Sequence, residues 1–153
     1  MNAMSFDKSL FSLVAINHAD GAETRIFTNA SLCVELLHRS VAGSSARFEY
    51  SAEQAFALSK SIAEHAAWIL GGANGQGPKR YVDEGNSAYV CGMRSLDGKL
   101  QFEALIGNPD QPVPAALQTF MIDAESGKGV ALGLVAAAIE LLTVEAASDG
   151  MLG

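Results

Sequence analysis

Two cysteines, four prolines, one tryptophan and a charged fraction of only 18% leave several classes of protein without support. Cys33 and Cys91 lie far apart and match neither a C-x-x-C pair nor a Cys/His ligand spacing. A disulfide scaffold and a zinc knuckle therefore both lack support, and two free, buried thiols are expected. Acidic residues form no run that could make a dense anionic stripe. The longest uncharged apolar stretch, Gly129 to Ile139, is shorter than the about 17 residues that a bilayer-spanning helix needs, and Glu140 follows it. No membrane span is expected. The start, Met1-Asn2-Ala3-Met4-Ser5-Phe6-Asp7-Lys8, has neither the positive charge nor the downstream cleavage site of a secretory leader, which points to a cytoplasmic location.

Apolar material is plentiful. Of 153 residues, 49% are hydrophobic, enough for one core of ordinary domain size, and the low charge density argues against disorder. Leu10–Ile16 and Glu23–Thr28 read as strands joined at Asp20-Gly21, a hairpin signal. Leu32–His38 fits a short helix after Asn29 slightly better than a strand. Arg47–Tyr50 alternates as a strand. Ser51 with Gln54 three residues on has the spacing of a capping box, and Ala55, Leu58, Ile62, Ala66 and Ile69 continue it as a helix over 52–70. Four glycines and a proline between Gly71 and Pro78 mark a linker. Beyond it, Ala88–Met93 and Leu100–Ile106 read as strands joined near Asp97-Gly98, then comes a loop through Pro109, Pro112 and Pro114. Leu117–Ile122 is a further strand, and a closing helix is expected from Lys128 to about Ala147.

The fold class is therefore α+β, a mainly antiparallel sheet with two long helices in a single domain over 1–153. Phe48 and Phe120, and Ala52-Glu53 and Ala124-Glu125, lie 72 residues apart, and the two Asp-Gly turns lie 77 apart. This spacing suggests an internal duplication, with halves 9–70 and 87–147 joined by a glycine-rich linker over 71–86. In element order, two strand-rich units each closed by a helix resemble the whirly and positive-cofactor-like single-strand binders. That resemblance implies a nucleic-acid surface at the strand cations Arg25, Arg39, Arg47, Arg94 and Lys99 and the linker pair Lys79-Arg80. Phe27, Tyr50 and Tyr89 would be there to stack bases. A net charge of −7 weighs against it, because phosphate binding rests on Lys and Arg.

Candidate chemistry is sparse. Ser126-Gly127-Lys128-Gly129 before a helix suggests a phosphate cradle, but Ile122 and Gly129 stand where a Walker loop needs Gly and Ser or Thr, and Asp123 and Glu125 would repel an anion. A solvated loop is expected there. His18 with Asp20 supplies two ligands of a metal site and no third, and Cys33 near His38 lacks any nucleophile-elbow context. No catalytic residue, metal or cofactor is expected. The closing helix is more informative, because Val130, Leu132, Leu134, Val135, Ile139, Leu141, Leu142 and Val144 spread around its whole circumference and need cover on nearly every side. Gly129, Gly133 and Ala137 form a small-residue stripe. Cover could come from the chain's own sheet or from a second subunit meeting Gly129, Val130, Gly133, Leu134, Ala137 and Leu141. The leading expectation is a homodimeric adaptor, inhibitor or chaperone that binds an unknown protein. A single-strand nucleic-acid binder and a small enzyme of unknown class are the alternatives.

Overall fold

Alternating burial and antiparallel pairing organise the chain into two four-stranded sheets in a computed structural model that describes residues 13–83, 89–106 and 116–152. The first sheet runs β1 (Leu13–Asn17), β2 (Glu23–Thr28), β3 (Val34–Arg39), β4 (Ser45–Tyr50), and α1 (Ala52–Leu70) follows it. The second runs β5 (Tyr81–Asp83), β6 (Tyr89–Leu96), β7 (Lys99–Ile106), β8 (Ala116–Asp123), and α2 (Ala124–Leu152) follows that. Both sheets are antiparallel meanders, so the architecture is α+β. The proline loop and the residues before Leu13 lie outside the described residues.

Two elements depart from expectation. Leu32–His38, read as a short helix, is strand β3, because its residues complete ladders with both β2 and β4. Val34, Leu36 and His38 then alternate into the core, and pairing on two edges outweighs a weak helical pattern. Asn29 sends the same local signal in either case: its side chain accepts from the backbone of Ser31 and Cys33, an Asx turn instead of a helix cap. The closing helix begins at Ala124, not Lys128, so Ser126-Gly127-Lys128-Gly129 is helical and no loop. Asp123 supplies the cap, its carboxylate accepting from the Ser126 N–H at 2.7 Å. That hydrogen bond holds the Asp123 carboxyl below the usual carboxylate range. The anion position at the helix start is thus taken by the chain's own carboxylate.

The two helices pack most extensively on each other, and each lies more on the sheet of the other unit than on its own. α2 lies across β1 and β2, whereas α1 lies against β5, β6 and β7. Gly133 makes the first crossing possible, because a Cβ there would stand 2.9 Å from Ile26 and 3.3 Å from Val14. At the other crossing His65 is buried, its ring bonding the Ser95 hydroxyl at 2.6 Å and the Lys79 carbonyl at 2.8 Å. One hydrophobic cluster results, with Ile26, Leu36 and Phe48 from the first sheet, Met93, Leu100 and Phe102 from the second, and Ile62 and Leu134 from the helices. The glycine-rich segment folds back over α1: Trp68 Nε1 donates to the Asn74 carbonyl at 3.1 Å, and Gly77 approaches the indole so closely that a Cβ would stand 3.1 Å away.

The arrangement is consistent with duplication. Leu36 pairs with Phe48 in the first sheet as Phe102 pairs with Phe120 in the second. Both helices begin after a capping residue, Ser51 and Asp123, at the same spacing of 72. The Asp-Gly turns are not part of this correspondence, because one joins β1 to β2 and the other joins β6 to β7.

Candidate functional site

An apolar opening lies between the helices. Ser59, Lys60, Ala63 and Ala67 of α1 and Lys128, Ala131, Leu132 and Val135 of α2 line a groove of about 430 Å³. Alanines on both walls keep it open, since their short side chains cannot meet across it. Along α2 the groove continues into an exposed stripe, with Leu132 73%, Ile139 52% and Leu142 44% accessible. Spacings of 4, 3, 4 and 3 from Lys128 through Leu132, Val135, Ile139 and Leu142 keep this stripe on one side of the helix. By length and composition Ala124–Glu145 is also apolar enough to cross a bilayer, a property that the core helix of a globular protein shares.

The residues expected at a subunit interface lie elsewhere. Val130, Leu134, Ala137 and Leu141 are buried in the chain's own core, Gly133 meets Val14 and Ile26, and Gly129 faces Ile16. The small-residue stripe therefore seats α2 on the first sheet, and the opposite side of the same helix is the one left to solvent. Helical periodicity alone identifies both sides as apolar without saying which of them the sheet takes.

A second feature is polar. His18 Nε2 and His38 Nδ1 both bond the Thr24 hydroxyl, at 2.7 and 2.8 Å, so the two rings share one bridging group. Thr24 donates to one ring and accepts from the other, so the ring that accepts must be neutral, and protonation of both imidazoles breaks the bridge. Burial lowers the pKa of each; for His18 the carboxylates of Asp123 and Asp20 oppose this, and for His38 the neighbouring His18 adds to it. His38 stacks on Phe120 with ring centroids 4.2 Å apart, beside a cleft of about 300 Å³ lined by Ser40, Ser44, Ser45 and Gln118. Because the folded-state values lie below the ordinary 6.5, the unfolded chain takes up protons first as pH falls. Stability is thus full above about pH 6.5 and declines below it, levelling off under the depressed values. The urea midpoint is expected to fall between pH 7.5 and 5.5, and to stay nearly flat over that interval when His18 and His38 are both replaced by Gln.

The two histidines meet, but Cys33 does not join them. It sits in the β2–β3 turn, five residues along β3 from His38 and hence about 16 Å away. Its thiol is half-buried, and burial together with Glu49 and Glu35 pushes its pKa up, while Cys91 is fully buried and pushed up to about 12. Neither favours a thiolate. Among the described residues no three side chains of His, Cys, Asp or Glu come together as metal ligands.

The cations read as a nucleic-acid surface separate onto different faces. Arg25 and Arg47 lie on the outer face of the first sheet, and Arg94 and Lys99 on that of the second. Carboxylates answer four of the arginines: Glu23 at 2.8 Å from Arg25, Glu35 at 2.7 Å from Arg47, and Glu103 at 2.6 and 3.3 Å from Arg80 and Arg94. Lys79 is exposed, and its carbonyl holds His65. Tyr50 is buried and unable to stack on a base, Phe27 is half-buried on the outer face, and the Tyr89 side chain lies outside the described residues.

No protein-family model matches the chain, and no curated protein is similar to it in sequence.

Proposed function

We propose that the chain is a non-catalytic interaction protein that binds a protein partner through the helical face formed by α1 and α2. The exposed stripe of Leu132, Ile139 and Leu142, continuous with the alanine-walled groove, carries this reading. A fully exposed side chain of this size gains about 1.5–3 kcal/mol on burial and these three gain the share still in water, so a complementary apolar surface is the natural ligand. Lys60 borders the face at one end, where Lys128 is paired with Glu125 at 2.7 Å, so the apolar surface and not charge carries the contact. Nucleic acid is less well supported, because the strand arginines spend their charge on Glu23, Glu35 and Glu103.

A photoreactive amino acid placed at position 132 in cells, with another at position 25 as a control on the sheet face, tests the proposal. The expected result is one discrete protein adduct from position 132, identified by mass spectrometry and reduced about tenfold when Leu142→Glu is added. Equal adducts from both positions, or crosslinking of labelled single-stranded DNA from position 25, would overturn it.

A further inference from the structure

Two clefts apart from the helical face are joined by one hydrogen-bonded chain. His38 lines a cleft of about 300 Å³ and His18 a smaller one of about 170 Å³, and the Thr24 hydroxyl bridges the two rings. Each outer end of this chain is a ring nitrogen without a hydrogen-bond partner among the described residues. His18 Nδ1 is sealed from solvent, whereas His38 Nε2 is not, although His38 as a whole is only 5% exposed. His38 Nε2 is therefore the end that opens to the larger cleft.

The direction of the chain follows from its charged end. Asp123 and Asp20 are the charges that act on the His18 ring, and with Lys99 they line the smaller cleft. Two carboxylates against one ammonium favour hydrogen on His18 Nδ1 over a bare lone pair. His18 Nε2 then accepts from the Thr24 hydroxyl, and the Thr24 oxygen accepts from His38 Nδ1–H. His38 Nε2 is left as a lone pair at the cleft. Thr24 and His18 are positioning residues, because they set the tautomer of a ring that alone reaches the opening.

Around that acceptor the lining is polar and uncharged. Gln118 Oε1 accepts from the Arg47 N–H at 3.3 Å, which leaves its amide hydrogens to donate to a ligand. Ser40 Oγ accepts from the Ser44 N–H at 3.1 Å and keeps its own hydrogen, and the Ser44 and Ser45 hydroxyls can donate or accept. None of the lining residues carries a charge that would offset an ion, so a charged ligand would lose hydration without compensation. A neutral molecule with several hydroxyls matches the set: one hydroxyl donates to His38 Nε2 and another accepts from Gln118. The volume lies at the lower end for small-molecule sites, room for one ring of monosaccharide size.

We propose that the cleft between the β3–β4 turn and β8 is a binding site for a small neutral polyol, with His38 Nε2 as its acceptor and Gln118 as its donor. It shares no lining residue with the helical groove, so the protein-binding reading stands or falls separately.

Long-range proton–nitrogen correlation spectra of the full chain at about pH 7.5 test the direction first, and both rings are expected to carry hydrogen on Nδ1. Hydrogen on His38 Nε2 would overturn the proposal. Titration with myo-inositol, methyl α-glucoside and glycerol, each to about 50 mM, follows. At least one is expected to shift His38 Nε2 and the Gln118 side-chain amide together, with a dissociation constant on the order of 1 mM. Sodium acetate and sodium phosphate are expected to leave both signals in place. Thr24→Val is expected to weaken binding about tenfold and to leave His38 in mixed tautomers, and Gln118→Leu to weaken it about fivefold. Gln118→Leu does not touch the buried bridge and keeps the test open should Thr24→Val fail to fold. No shift with any of the three polyols, an equal response to the anions, or unchanged affinity in Gln118→Leu would each overturn the proposal.

Discussion

Replacing Phe120 by alanine is expected to lower the stability of the chain by about 4 kcal/mol, near the middle of the range for a buried phenylalanine. The ring is 8% exposed and holds three others: it stacks on Phe102 at 4.7 Å and on His38 at 4.2 Å, and meets Phe48 edge-on at 5.5 Å. Phe48 and His38 belong to the first sheet and Phe102 to the second, so the truncation opens a void where the two sheets join. It also removes the hydrophobic cover from one ring of the His18–Thr24–His38 bridge. Urea unfolding followed by far-UV circular dichroism measures the change. A loss under about 1.5 kcal/mol with an unchanged slope would show that neighbouring side chains collapse into the space and that the ring is not the joint between the sheets.

Gly133→Leu is the second large effect, because it separates the two surfaces of α2. A single Cβ at this position would already stand 2.9 Å from Ile26. A leucine must therefore lift the helix away from β1 and β2, an overpacking expected to cost about 3 kcal/mol. The chain should unfold at lower urea whatever its concentration. If instead the variant kept the stability of the parent and only lost self-association, Gly133 would face another subunit, and the seating of α2 on the first sheet would be wrong. Leu132→Glu, one residue earlier, is expected to do the reverse: little change in the stability of the isolated chain and a large loss of binding at the helical face. The opposite responses of neighbouring positions follow from 100° of helical rotation between them.

Much of the fold was legible from local chemistry. Ser51 and Gln54 do form the expected capping box, Ser51 Oγ accepting from the Gln54 N–H and Gln54 Oε1 from the Ser51 N–H, and α1 spans 52–70 as its periodicity predicts. β2 spans Glu23–Thr28 as read, and both Asp-Gly turns close hairpins, with Gly21 and Gly98 at positive φ. Asp97 also takes a positive φ of 53°, a conformation Asp tolerates better than most residues.

The candidate site was only half legible. An apolar helix announces that it needs cover, and the sequence around Val130–Val144 made that need plain. Its helical period could not say which side the sheet would claim, since Leu134 and Leu132 are chemically alike and differ only in direction. The histidine pair was hidden for a related reason: His18 and His38 come together through the β1–β2–β3 register, with Thr24 opposite His38, and no short-range pattern encodes that pairing.

The amino-acid sequence by itself determined most of the strands, the Ser51 cap of α1 and the tight Asp-Gly turns, because each depends on interactions within a few residues. Only the tertiary structure decided that β3 is a strand, that each helix crosses to the other unit's sheet, and that Leu132, Ile139 and Leu142 stay outside. Those outcomes turn on which distant surfaces exclude water from one another, and that is a property of the whole packed chain.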